Sequence, residues 1–166
     1  MKVLVSYYSD TGNTQKVAEA IFDGITESEK EIRLAAEASN LSGYDLVFCG
    51  FPVHSMGLPA KMEAFVKGLP EGMKVAFFAT HGSLRGGELA VTAFYSALSL
   101  AKNLNVMGTF GCRGAVKSDI IEALLKKSEF RGWALEAQSA VGHPDDADLE
   151  DAKAFASAMV TKARAK

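Results

Sequence analysis

Short apolar runs recur along this chain, each followed by a longer amphipathic stretch, and that alternation restricts it to a parallel α/β architecture. Runs at 3–5, 45–50, 74–80 and 106–110 read as buried strands, and a weaker, charged run at 31–35 suits a sheet edge. Between them, residues 13–25, 58–69 and 88–103 carry apolar positions at helical spacing, such as Val17, Ala20, Ile21 and Ile25. A short helix is expected around Ile120, Ile121, Leu124 and Leu125, then an irregular stretch holding Trp133, then a closing helix over 146–163. Carboxylates crowd the first turn of that last helix, where they complement the positive end of its dipole and need no further role. Parallel strands joined by helices require right-handed crossovers, which place helices on both faces of the sheet. Ligands of such sheets bind outside the carboxyl ends of the strands, so the loops after the first, third and fourth strands are the places to search.

The bulk chemistry removes several classes. With 18 Lys and Arg against 20 Asp and Glu, the formal charge is −2, without the basic excess of a nucleic-acid binder. No stretch approaches the roughly 20 apolar residues of a membrane helix. The apolar start of the chain is cut by Ser9 and Asp10 too early for a signal peptide. Cys49 and Cys112 lie far apart in apolar runs, which reads as reduced, buried thiols of a cytoplasmic protein and excludes a self-contained iron–sulfur or zinc site. The 166 residues show no repeat, linker or low-complexity segment, so one domain over 1–166 is expected.

The loop after the first strand is the richest segment. Ser9-Asp10-Thr11-Gly12-Asn13-Thr14 sets three hydroxyls, an amide and a glycine at a strand-to-helix junction. A phosphate there would meet the N–H groups of the helix N-terminus, assisted by the dipole, together with the hydroxyls of Ser9, Thr11 and Thr14. Gly12 would let the backbone approach closely. No Lys or Arg is present, unlike a P-loop, so the anion would be held by neutral donors. A polar helix cap needs only one such residue.

At these residues the chain resembles the flavodoxin family, whose phosphate loop reads Ser/Thr-x-Thr-Gly-x-Thr. The resemblance implies a three-layer α/β/α sandwich around a five-stranded parallel sheet of order 2-1-3-4-5, with FMN as cofactor. It assigns the FMN phosphate to Ser9, Thr11, Gly12, Asn13 and Thr14. Asp10 departs from the usual neutral or aromatic residue and is expected to turn its carboxylate into solvent.

Two later loops extend the resemblance. Gly50-Phe51-Pro52-Val53-His54-Ser55-Met56-Gly57-Leu58-Pro59 has the form G-x-P-x-x-x-x-G-x-P seen in flavodoxin-like proteins and related quinone reductases. By position it places Pro52, Val53, His54, Ser55, Met56 and Gly57 along one face of the flavin, with His54 where a tryptophan often stacks and Ser55 near the ring's N5 edge. An exposed loop histidine bound to backbone is the other reading of His54. Thr80-His81-Gly82-Ser83-Leu84-Arg85-Gly86-Gly87 similarly implies contacts from Thr80, His81, Gly82 and Gly86 to the pyrimidine edge, without the tyrosine common there. Arg85 is either a charge near the flavin or a solvated surface residue, Cys112 a buried small hydrophobe, and His143 a capping or loop residue.

A receiver domain shares this architecture but needs paired acids after strand one and an Asp ending strand three, where this chain has Cys49-Gly50-Phe51-Pro52. A dinucleotide-binding G-x-G-x-x-G is missing from the first turn. The expectation is an electron-transfer protein shuttling between redox partner proteins, as a monomer or weak dimer. The competing reading is an FMN-dependent NAD(P)H:quinone or small-molecule oxidoreductase of the same fold, which the modest charge and missing aromatic stackers favour.

Overall fold

The computed structural model describes residues 1–54, 57–84 and 86–165. The strands are β1 (Lys2–Tyr7), β2 (Glu29–Leu34), β3 (Leu46–Pro52), β4 (Lys74–His81) and β5 (Asn105–Arg113). The helices are α1 (Asn13–Gly24), α2 (Ala60–Lys67), α3 (Glu88–Leu100), α4 (Ser118–Leu125), α5 (Arg131–Gln138) and α6 (Asp146–Arg164). The five strands form one parallel sheet in the order β2-β1-β3-β4-β5. Fold class and strand order are those the sequence resemblance implies.

Alternation along each strand divides the core into two layers. Val3, Val5, Phe48 and Phe78 point to one face and pack with Val17 and Ile21 of α1 and Ala152, Ala156 and Val160 of α6. Leu4, Val47, Cys49, Phe51 and Phe77 point to the other, against Met62, Phe65 and Val66 of α2 and Ala93 and Ala97 of α3. β3 and β4 are buried almost throughout because helices cover both sides. β2 is half-buried, as its charged alternation demands of an edge, and Glu31 answers Lys2 of β1 at 3.1 Å. Cys49 and Cys112 are both buried, and burial pushes the Cys49 thiol well above its ordinary value.

Three of the differences from the sequence reading bear on the site. β5 continues past Phe110 to Arg113, because β4 offers ladder partners as far as His81. α2 begins at Ala60, with Pro59 as its cap residue rather than inside it. The stretch around Trp133 is a helix, α5. With eight residues and only Ala134 and Ala137 as small buried positions, it is too short to show a period, and it is shaped by packing on α4. α6 starts with a capping box, Asp145 and Asp148 each accepting the other's backbone N–H. His143 joins that cap through Nδ1, 2.6 Å from Asp148, which is the capping role expected of it.

The strand order reverses between β1 and β3, since β1 pairs with β2 on one side and β3 on the other. The crevice at their carboxyl ends is therefore where this sheet can take a ligand.

Candidate functional site

The loop from β1 to α1 is built to leave its donors open. Gly12 is the cap residue of α1, and its φ of 88° is a left-handed conformation that favours glycine. A Cβ on Gly12 would meet nothing within 4 Å, so the space above it is free for a ligand. The Gly12 N–H donates to Ser9 Oγ at 3.1 Å, closing the loop on itself. No side chain caps α1, and its first turn contains no acidic residue. The positive end of a 12-residue helix thus faces the crevice with its first N–H groups uncapped by any side chain. That donor set fits a phosphate dianion held by neutral groups.

The expected phosphate ligands divide into different positions. Thr11 is exposed and Ser9 half-buried, both at the loop surface. Thr14 is buried, and its hydroxyl meets that of Thr80 at 2.8 Å. Asn13 donates its amide to the Ala115 carbonyl at 2.9 Å, tying the loop to the segment after β5. Thr14 and Asn13 thereby brace the loop against its neighbours, and their backbone N–H groups remain the parts directed at the crevice.

Asp10 is exposed, as expected, but its carboxylate is also partnered. Its carboxylate accepts the Tyr8 hydroxyl and lies 2.8 Å from Nε2 of His54. The hydrogen bond to Asp10 holds the Tyr8 phenol above its ordinary value. The Tyr8 and His54 rings meet edge to face at 6.3 Å between centroids, and the Lys61 ammonium of α2 lies 5.3 Å over the Tyr8 ring. His54 is an exposed loop histidine, but its imidazole meets the Asp10 carboxylate rather than a backbone group. Tyr8 and Lys61 were not expected at the site. Tyr8 sits one residue before the phosphate loop, but a single half-buried tyrosine carries no periodic signal.

Pro52 ends β3, and Val53 N–H donates to the Thr80 carbonyl at 2.9 Å, linking the second and third loops. His54 and Gly57 exchange backbone hydrogen bonds of 3.1 and 2.8 Å across a tight turn. Ser55, Met56 and Arg85 lie outside the described residues.

The loop after β4 is held from behind. Thr80, His81 and Ser83 are buried, while Gly86 is exposed with a φ of 79°. Nδ1 of His81 donates to the Ser83 carbonyl at 3.0 Å, and burial holds the imidazole below its ordinary value. Trp133 Nε1 donates to Ser83 Oγ at 2.9 Å, and Leu84 N–H donates to the Glu136 carboxylate. Arg113 donates to the carbonyls of Glu136 at 3.1 Å, Ser139 at 3.0 Å and Gly82 at 3.4 Å. A Cβ on Gly82 would lie 2.5 Å from Val116 and 3.3 Å from Trp133, so only glycine fits between loop and helix. α5, unseen in the sequence, is the plate on which this loop is mounted.

The loops after β1, β3 and β4 thus converge on one crevice, with the N-terminus of α1 at one end and its far wall braced by α5. Among the described residues no helix is long and apolar enough to cross a membrane.

Comparison with known proteins agrees with this geometry. The flavodoxin domain model matches residues 4–157. The flavodoxin-like domain-containing protein BilS of Clostridioides difficile (strain CD3) is 31% identical, over 98% of this chain and 98% of its own. Oxidised flavodoxin 2 of Bacillus cereus superposes with a TM-score of 0.68 at 18% identity, covering 98% of this chain and 99% of that one. A flavodoxin from the domain Archaea superposes with a TM-score of 0.65 at 19% identity, covering 99% of each chain. On the match of the family model over most of its length, the chain belongs to the flavodoxin family.

Proposed function

We propose that this protein binds FMN at the carboxyl ends of β1, β3 and β4 and carries electrons between redox partner proteins. The observation that carries the reading is the open, acid-free N-terminus of α1 behind Gly12, a cradle of neutral donors suited to the FMN phosphate. When bound, FMN supplies redox chemistry in one- or two-electron steps.

The chain's own residues supply placement. The first N–H groups of α1 and the Ser9 and Thr11 hydroxyls hold the phosphate, while Thr14 and Asn13 keep that loop from shifting by their bonds to Thr80 and Ala115. The turn closed by His54 and Gly57 lines one side of the ring, together with Pro52 and Val53. The backbone of Thr80, His81, Gly82 and Gly86 lines the other, held in place by Trp133 and Arg113. His54 stays oriented because Asp10 takes its Nε2.

That last pair favours a second reading, an FMN-dependent NAD(P)H:quinone or small-molecule oxidoreductase. An imidazole oriented by a carboxylate at the mouth of the crevice can hand a proton to a substrate there. Stopped-flow mixing of the FMN-loaded protein with NADPH, with and without a quinone, separates the two. The carrier reading expects slow direct reduction by NADPH and no quinone turnover, with rapid reduction only by a one-electron donor. Rapid reduction by NADPH with quinone turnover overturns it in favour of the enzyme.

A further inference from the structure

A cavity of about 270 Å³ lies between α3 and β5, lined among others by His81, Ala90, Val91, Phe94, Thr109 and Gly111. It adjoins the loop after β4 through His81 and Gly86 but opens on the α3 side of the sheet, away from α1. Side chains alternate along β4, so Thr80 reaches Thr14 on the α1 face of the sheet while His81 points to the opposite, α3 face. None of the lining residues comes from the loops after β1 or β3.

The chemistry of its wall is specific. His81 is 6% exposed. The Ser83 carbonyl can only accept, so Nδ1 carries the hydrogen of the ring. Burial disfavours a second proton, and Nε2 is left as a bare acceptor with no hydrogen-bond partner among the described residues. Nε2 lies 3.5 Å from where a Gly111 Cβ would stand, and Gly111 lines the cavity. The absent side chain at Gly111 is what opens the space in front of the imidazole. An acceptor that faces this space without a donor from the chain can take a hydrogen bond from a ligand that carries one.

We propose that this cavity is a second ligand site, taking a small uncharged ring compound with one N–H or O–H donor directed at Nε2 of His81. Phe94, Ala90 and Val91 give the ring apolar walls, and a charged compound would find no counter-ion among the lining residues. The volume is below the ~300–1,000 Å³ of sites for drug-sized molecules, which limits the ligand to one or two fused rings. Because the same imidazole holds Ser83 through Nδ1, occupancy acts directly on the loop after β4.

The test uses 2-naphthol and 2-methoxynaphthalene, which share a ring system and differ in the donor. Binding to the FMN-saturated full chain is measured by calorimetry, and the His81 ring nitrogens are followed by ¹⁵N NMR. The site predicts that 2-naphthol binds at least tenfold more tightly and moves the Nε2 resonance of His81. Val91→Trp, on the half-open side of the cavity, is expected to weaken 2-naphthol at least tenfold with unchanged circular dichroism. Equal binding of the two compounds, no binding of either, an unmoved His81 resonance or unaltered binding by Val91→Trp would each overturn the proposal.

Discussion

The hydroxyls of Thr14 and Thr80 meet at 2.8 Å inside the fold, joining the first turn of α1 to the end of β4. Both residues are almost fully buried, so neither hydroxyl can turn to water if its partner is lost. Thr80→Val alone is expected to lower stability by about 1–3 kcal/mol, because it strands the Thr14 hydroxyl. Thr14→Val with Thr80→Val should cost less than the sum of the two singles, since it removes both polar groups together. Urea denaturation of the four proteins in the cycle measures this coupling, and strict additivity would mean that the bond contributes nothing.

Two glycines of the site should respond differently to alanine. At Gly12 only the backbone objects, since a Cβ finds open space, and the left-handed conformation costs roughly 1–2 kcal/mol. At Gly82 the added carbon meets Val116 and Trp133, an overpacking expected to cost about 1–3 kcal/mol. Trp133 is the chain's single tryptophan, so its emission should shift in Gly82→Ala and stay unchanged in Gly12→Ala. Identical spectra for the two variants would show that α5 does not brace the loop.

The fold was largely legible in the sequence, and the supports of the site were not. Strands such as 45–50 and 74–80 are continuous apolar runs, and α1 and α6 are long enough to display their period. α5 is not, and its residues matter through contacts with Ser83 and Leu84, roughly 50 positions away, that no local pattern encodes. The phosphate loop was visible because hydroxyls cluster there in sequence. Which of them face the crevice depended on Thr80 and Ala115, brought near only by the sheet. The exposure of Asp10 was legible but its partner was not, for the same reason, as His54 arrives from another loop.

The Asp10 carboxylate stands in the phosphate loop, where it repels a dianion. Asp10 is exposed, and through water that repulsion is about 1 kcal/mol, so Asp10→Asn is expected to bind FMN roughly fivefold more tightly. The gain should shrink as salt is raised. Titration of the two proteins with FMN at low and high ionic strength checks it, and weaker binding by Asp10→Asn would show that orienting His54 outweighs the repulsion.

Burial holds His81 below its ordinary value, so the unfolded chain takes up a proton there more readily than the native one. The stability this represents is complete above the ordinary histidine value of ~6.5 and is lost as pH falls through the lower native value. Urea unfolding between pH 7.5 and 5 should show the wild type losing stability faster than His81→Gln. Parallel profiles would mean that His81 is protonated as easily in the native state as in the unfolded one.

The central claim is that the uncapped N-terminus of α1 behind Gly12 receives the FMN phosphate. Titrating the apoprotein with FMN and with riboflavin, and following the quenching of flavin fluorescence, tests it most directly. Two or more charge-assisted hydrogen bonds at about 1.5–3 kcal/mol each predict that FMN binds at least about 100-fold more tightly. Equal affinity for the two flavins, or no uptake of FMN, would contradict the account.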